Sequence, residues 1–258
     1  MSANSVNKLT SRLRTLHQRI DWRYVVGLPA WVLISFVLAN LIVIGGLLLL
    51  EATNVYTPVP ESAVYNAILA AVVYTLTLGL ALGGPWILRR RLTSRVDLGL
   101  TTLPTWMDII LAPAGAVIYL LASGIFITLF AVAFPQIDLQ QTQDVGFQNL
   151  ANYSQYLLAF LTLVVLAPVA EEVLFRGYLY GKLRKHAPIW LAMLVTAVLF
   201  GAAHGQWNVA IDTFALSLVM TSLREITGSI WAGILLHMMK NGLAFYLLFI
   251  NPSLLGTL

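Results

Sequence analysis

The stretch Val169-Ala170-Glu171-Glu172-Val173-Leu174-Phe175-Arg176-Gly177 puts two acids and a guanidinium inside a run, about 155–181, that is otherwise long and apolar enough to cross a bilayer. A charge at the centre of a membrane helix costs roughly 2.5–3.5 kcal/mol on insertion scales, so it is retained where it pairs or acts. Polar positions interrupt later apolar runs in the same way: Phe200 with His204, His237 with Asn241, and Asp212. These interruptions point to a site inside the membrane.

Composition sets the class. The 258 residues are 59% hydrophobic and only 10% charged, with a mean hydropathy of +0.82, against roughly 25% charged in soluble domains. The chain reads as an integral membrane protein. It has no cysteine, which excludes disulfides, thiolate metal ligands and a cysteine nucleophile. Its net charge is +4, but the basic residues flank hydrophobic runs, where they set orientation and favour anionic headgroups; no nucleic-acid partner is expected.

Seven spans are expected, at about 25–50, 63–88, 106–134, 155–181, 188–204, 207–223 and 228–250. Lipid leaves no place for an open sheet edge, so the fold class is all-α, a polytopic transmembrane bundle of about seven (seven to eight) helices. Residues 1–24 form a basic amino-terminal segment, and 25–258 a single transmembrane domain with its motif-bearing core at about 155–245. The first apolar run lacks a cleavage site and stays attached as a span.

Thirteen of the fifteen Lys and Arg fall on alternate loops: Lys8, Arg12, Arg14, Arg19 and Arg23, then Arg89, Arg90, Arg91 and Arg95, then Lys182, Arg184 and Lys185, then Arg224. The positive-inside rule makes that face, and the amino terminus, cytoplasmic. The opposite loops carry Glu51, Glu61, Asp138 and Asp144. Loop 135–154 is expected to form a short surface cap, and Gly79/Gly83 and Gly201/Gly205 to let helices approach closely. His17 and His186 are expected in solvent.

Glu172 and Arg176 stand at i and i+4 with the acid first, the favourable order for an ion pair, while Glu171 is rotated by about 100°. A bridged carboxylate is held ionised; its unpaired neighbour is better placed to take up a proton. Glu171 is therefore the expected base, and Glu172 with Arg176 the scaffold. The competing structural reading is that both acids brace the helix. His237 and Asn241 share a helix face and can both reach one small ligand such as water. On straight helices Glu171 and His237 lie about 16 and 14 Å from the cytoplasmic limit but His204 about 24 Å, a mismatch that helix tilt could remove.

These residues resemble a family. Glu171-Glu172-x3-Arg176, Phe200-x3-His204 and His237-x3-Asn241 resemble the EExxxR, FxxxH and HxxxN motifs of the CPBP family, which comprises type II CAAX prenyl endopeptidases and bacteriocin-processing or abortive-infection-type membrane proteins. Phe175-Arg-Gly177 and Thr227-Gly-Ser-Ile-Trp231 are similar to it too, and spans one to three carry no diagnostic residue. The resemblance implies an intramembrane endopeptidase of a bacterial cytoplasmic membrane, acting on a membrane-associated peptide or protein. The catalytic set would be Glu171, His204, His237 and Asn241, supported by Glu172, Arg176 and Phe200. No cofactor is favoured; were zinc present, its ligands would be Glu171 or Glu172 with His204 and His237.

Other intramembrane protease classes lack their signatures here: there is no HExxH, no Gly-x-Gly-Asp and no convincing Gly-x-Ser. A proton-coupled transporter and a non-catalytic immunity or scaffold protein remain as rivals. Asp212 and Lys240 lie outside the motifs; either Asp212 orders a histidine or pairs with Lys240 across the bundle, or it caps a turn while Lys240 snorkels.

Overall fold

A computed structural model describes residues 19–55, 62–90, 92–139, 145–147 and 150–257. Lys8, Arg12, Arg14, His17, Glu61, Arg91 and Asp144, and most of the basic amino-terminal segment, lie outside the described residues. All regular elements among the described residues are helical: α1 (Trp22–Ala52), α2 (Ala63–Arg89), the one-turn α3 (Arg95–Leu98), α4 (Trp106–Ala133), α5 (Tyr153–Leu183), α6 (Ile189–Ala202), α7 (Trp207–Thr227) and α8 (Trp231–Ile250). The chain is thus a polytopic helical bundle and an integral membrane protein.

Short polar side chains start four of the long helices. The side chains of Asp21, Ser62, Thr105 and Asn152 each accept from a backbone N–H of the first turn, and Thr105 with Asp108 closes a capping box. Gly228, at φ +72°, ends α7 in the left-handed conformation.

Five helices, α1, α2, α4, α5 and α8, are long and apolar enough to cross a membrane. The fifth and sixth expected spans differ. Helix α6 has 14 residues, about 21 Å, short of a hydrocarbon core of roughly 30 Å. Helix α7 is long enough at 21 residues but carries Asp212, Thr213, Ser217, Thr221 and Arg224. Both are accommodated inside the bundle: α7 packs against α4, α6 and α8, and α6 against α5 and α1. Their polar groups meet protein rather than lipid.

Helix α5 is the centre. In its most apolar window 44% of residues are buried, against 17% for α1 and 11% for α2 and α4, whose outer faces (Leu33, Val37, Leu41, Ile110, Leu121) suit acyl chains. It is not uniformly α-helical. Leu161–Leu166 and Val173–Tyr180 are π-helical and flank the α-helical Ala167–Glu172, which carries both acids. Such widened turns recur at functional sites.

At the basic end, α3 seats against α5 where glycine allows it, since a Cβ on Gly181 would lie 2.4 Å from the Asp97 carbonyl. The Asp97 side chain meets Lys182 at 3.5 Å and bonds Lys185. Partial burial would raise its pKa, but Lys185, the Ser94 amide and Lys182 outweigh this and hold the carboxyl well below the usual range. Its stabilising contribution is therefore complete above about pH 4, the ordinary carboxylate value, and is lost only as pH falls through the lower folded value. At the other end, Phe147 from the long loop is buried against Ala63, Ala159, Val164 and Phe245, and Asn66 donates to the Gly146 carbonyl at 2.5 Å, so the described part of that loop does pack down as a cap.

Of the two glycine pairs, Gly201 alone makes a close helix approach: its Cβ would stand 2.6 Å from the Ala210 carbonyl on α7. Gly205 serves the turn after α6 with φ +74°, and Gly79 and Gly83 face open space. Gly201→Val should lower the thermal unfolding temperature in detergent, with overpacking of roughly 1–3 kcal/mol, whereas Gly79→Ala should be neutral or slightly stabilising.

Candidate active site

The site is built outward from a buried ion pair. Arg176 Nη1 donates to Glu172 Oε1 at 2.8 Å, and both side chains are 0% exposed. The guanidinium also lies over the Phe200 ring, 4.2 Å from its centroid. Phe200 is fully buried and meets Phe175, His204 and His237 at ring distances of 4.9, 5.0 and 5.8 Å, all in tilted or edge-on contact. One aromatic ring thus gathers residues from α5, α6, the turn after α6, and α8.

Helix α8 comes close to the pair because residue 233 is glycine; a Cβ there would lie 2.9 Å from Glu172 Oε2. That approach brings His237 Nδ1 to 3.1 Å from Glu172 Oε1. The other ring nitrogen, Nε2, lies 3.8 Å from Glu171 Oε2. His237, 2% exposed, is therefore held between two carboxylates. A carboxylate can only accept, so we assign the proton to Nδ1, which leaves Nε2 directed at Glu171.

Glu171 differs from its neighbour as the helix geometry implied. Its side chain keeps 18% exposure, and its Oε1 accepts from the Tyr74 hydroxyl of α2 at 2.6 Å. His204 follows the end of α6; its Nδ1 donates to the Phe200 carbonyl at 2.8 Å, which again leaves Nε2 free of that bond. Glu171, His237 and Lys240 are the charged or titratable groups near enough to act on it electrostatically. Helix α6 ends at Ala202, and the turn at Ala203–Gly205 leaves His204, like His237, against the Phe200 ring.

Asn241 is the residue whose surroundings differ most from expectation. Its Nδ2 donates to the Leu163 carbonyl of α5 at 2.9 Å. The cause lies in α5. The Ala167 N–H, the α-helical donor for Leu163, bonds Thr162 in the π-helical stretch, and residue 168, the π-helical donor, is proline and has no N–H. Asn241 satisfies the carbonyl that is left over, and its carboxamide keeps a second N–H for other use.

A second polar network links α4, α7 and α8. The hydroxyls of Tyr119 and Ser123 on α4 both donate to Asp212 Oδ1 at 2.6 Å, and Lys240 Nζ stands 3.6 Å from Asp212 Oδ2. Of the two readings left open for Asp212, the structure has the cross-bundle pair. Sequence reasoning missed Tyr74, Tyr119 and Ser123; single hydroxyls in apolar spans were the only signal.

Among the described residues no three His, Asp or Glu side chains stand together as a metal-holding group, and Glu172 is committed to Arg176 and His237.

Comparison with known proteins agrees with the motifs. Residues 153–243 match the family model described as Rce1-like, "Type II CAAX prenyl endopeptidase Rce1-like". An "Uncharacterized 24.3 kDa protein" of Escherichia coli is 36% identical over 87 residues, 32% of this chain and 40% of that protein. The "Putative membrane peptidase YdiL" of Bacillus subtilis (strain 168) is 29% identical over 77 residues, 30% and 32% of the two chains. The "UPF0177 protein YxdF" of Lactococcus lactis is 29% identical over 90 residues, 35% and 49% of the two chains. The chain thus spans less than half the length of each of these relatives. No solved structure matches it. The resemblance read from the three motifs holds over the segment that contains them.

Arg176→Met should leave Glu172 buried and unpaired and cost roughly 3–5 kcal/mol in detergent unfolding. Asn241→Ala should cost roughly 1–3 kcal/mol by stranding the Leu163 carbonyl. Adding Pro168→Ala, which returns a backbone donor to that turn, should recover part of the loss; a purely additive or larger loss would contradict the assigned role.

Proposed function

We propose that the protein is an intramembrane endopeptidase in which Glu171 activates water against a peptide bond of a membrane-associated peptide or protein. The observation that carries this reading is the 3.8 Å gap between Glu171 Oε2 and His237 Nε2. Both atoms are acceptors under the tautomer assigned above, so they cannot bond each other. A water beside the gap can donate one hydrogen to each and turn a lone pair toward a carbonyl carbon.

In the reaction, the water oxygen bonds to the carbonyl carbon as Glu171 takes its proton, and the carbonyl π electrons move onto oxygen. The second N–H of Asn241 is the donor proposed for that oxyanion, while His204 lines the same space with its free Nε2. Collapse breaks the C–N bond, and Glu171 returns the proton to the leaving nitrogen. Glu172, Arg176 and Phe200 take no part in bond changes; they hold His237 in tautomer and direction. Tyr74 does the same for Glu171. No step requires a metal. We place the site in the cytoplasmic half of a bacterial cytoplasmic membrane, with the amino terminus cytoplasmic, on the distribution of Lys and Arg.

Purified Glu171→Gln should insert and unfold like the unsubstituted protein yet lose cleavage of a captured membrane peptide by at least about a hundredfold, the lower range for a lost general base. Retained turnover would refute the assigned base. Activity should also survive exhaustive chelation; loss that zinc restores would refute the metal-free step. If immunity is the biological role, it should fail in Glu171→Gln, and its persistence would favour the scaffold reading.

A further inference from the structure

A cavity of about 730 Å³ opens between the start of α1, the end of α2 and the end of α5, at the basic end of the bundle and away from the catalytic residues. Its rim carries Arg23, Lys182 and Lys185, and its walls include Leu28, Trp31 and Leu88. Two carboxylates stand against the three cations: Asp21 bonds Arg23, and Asp97 is shared by both lysines. The rim is left with a net positive charge. The Arg23 and Lys185 side chains are 88% and 55% exposed, so both cations stand at the mouth of the cavity.

The cavity is also built rather than incidental. The amide of Asp21 donates to the His186 carbonyl at 2.9 Å, and the Tyr24 and His186 rings stack 3.5 Å apart, which ties the entry of α1 to the loop after α5. Trp31 is oriented by its indole N–H, which donates to the Ala81 carbonyl on α2 at 3.1 Å. Gly27 faces the cavity with no atom within 4 Å of where its Cβ would be.

We propose that this cavity is a binding site for an anionic phospholipid, its phosphate held by Arg23, Lys182 and Lys185 and an acyl chain laid along Leu28, Trp31 and Leu88. A cationic rim above apolar and aromatic walls matches an amphiphile with one negative headgroup, and the rim lies at the level where the hydrophobic runs end and headgroups begin. A free phosphate leaves the apolar walls unused, and a zwitterionic lipid brings its own cation to a rim that is already positive. The inference is independent of the catalytic reading, since its readout is stability.

The test is thermal unfolding of the full chain, delipidated in neutral detergent and then supplied with mixed micelles of phosphatidylglycerol, phosphatidylcholine or with inorganic phosphate. Phosphatidylglycerol should raise the unfolding temperature by roughly 3 °C or more beyond phosphatidylcholine, and phosphate alone should not. The difference should disappear in Lys182→Gln/Lys185→Gln. It should also disappear in Gly27→Leu, which fills the cavity and leaves every charge in place. It should persist in Arg90→Gln/Arg95→Gln, which removes two charges elsewhere at the same end. Equal shifts from the two lipids, a full shift from phosphate alone, or a phosphatidylglycerol effect that survives Gly27→Leu would overturn the proposal.

Discussion

The Glu172–Arg176 pair, sealed completely from solvent and lipid, is the constraint on which the rest of the structure depends. A charge pair in such a place is stable only while every neighbour keeps its position. Phe200 supplies the π face beneath the guanidinium, Gly233 lets α8 come close to the carboxylate, and His237 adds a hydrogen bond to the same oxygen. These contacts bring α5, α6 and α8 together at one point. Removing the pair would free His237 to rotate, and with it the geometry around Glu171.

The division of labour between adjacent acids follows from this. Glu172 is consumed by structure; Glu171, one residue away and rotated off that face, keeps partial exposure and bonds a single hydroxyl. A protein can thus hold two carboxylates in one membrane helix and leave only one of them with room for a small ligand. The π-helical stretch before Ala167–Glu172 has a comparable effect: with Pro168 it leaves a backbone carbonyl at Leu163 that draws in Asn241 and locks α8 in register against α5.

Much of this was legible in the sequence, for identifiable reasons. Lipid imposes length and apolarity on spanning helices, so five spans could be read directly, and i,i+4 spacing was enough to pair Glu172 with Arg176. Helix α6 was located within two residues of its ends, at about 188–204 against Ile189–Ala202, but its 14 helical residues fall short of the full crossing its apolarity suggested. The placement of Asn241 was encoded in Pro168, whose missing N–H leaves a carbonyl to be satisfied, yet the π-helical register that selects Leu163 is a product of packing. Tyr74, Tyr119 and Ser123 could not be singled out because a hydroxyl in an apolar span has no fixed partner until the helices assemble. The matched family segment, 153–243, contains none of these three residues.

The account rests on a solvent molecule shared by Glu171 and His237 beneath the membrane surface. An experimental structure in lipid, at a resolution that shows ordered water, tests this most directly. The account predicts a water within hydrogen-bonding distance of both Glu171 Oε2 and His237 Nε2, open on its remaining side to the space lined by His204 and Asn241. A direct Glu171–His237 bond with water excluded, or either side chain turned toward acyl chains, would contradict it.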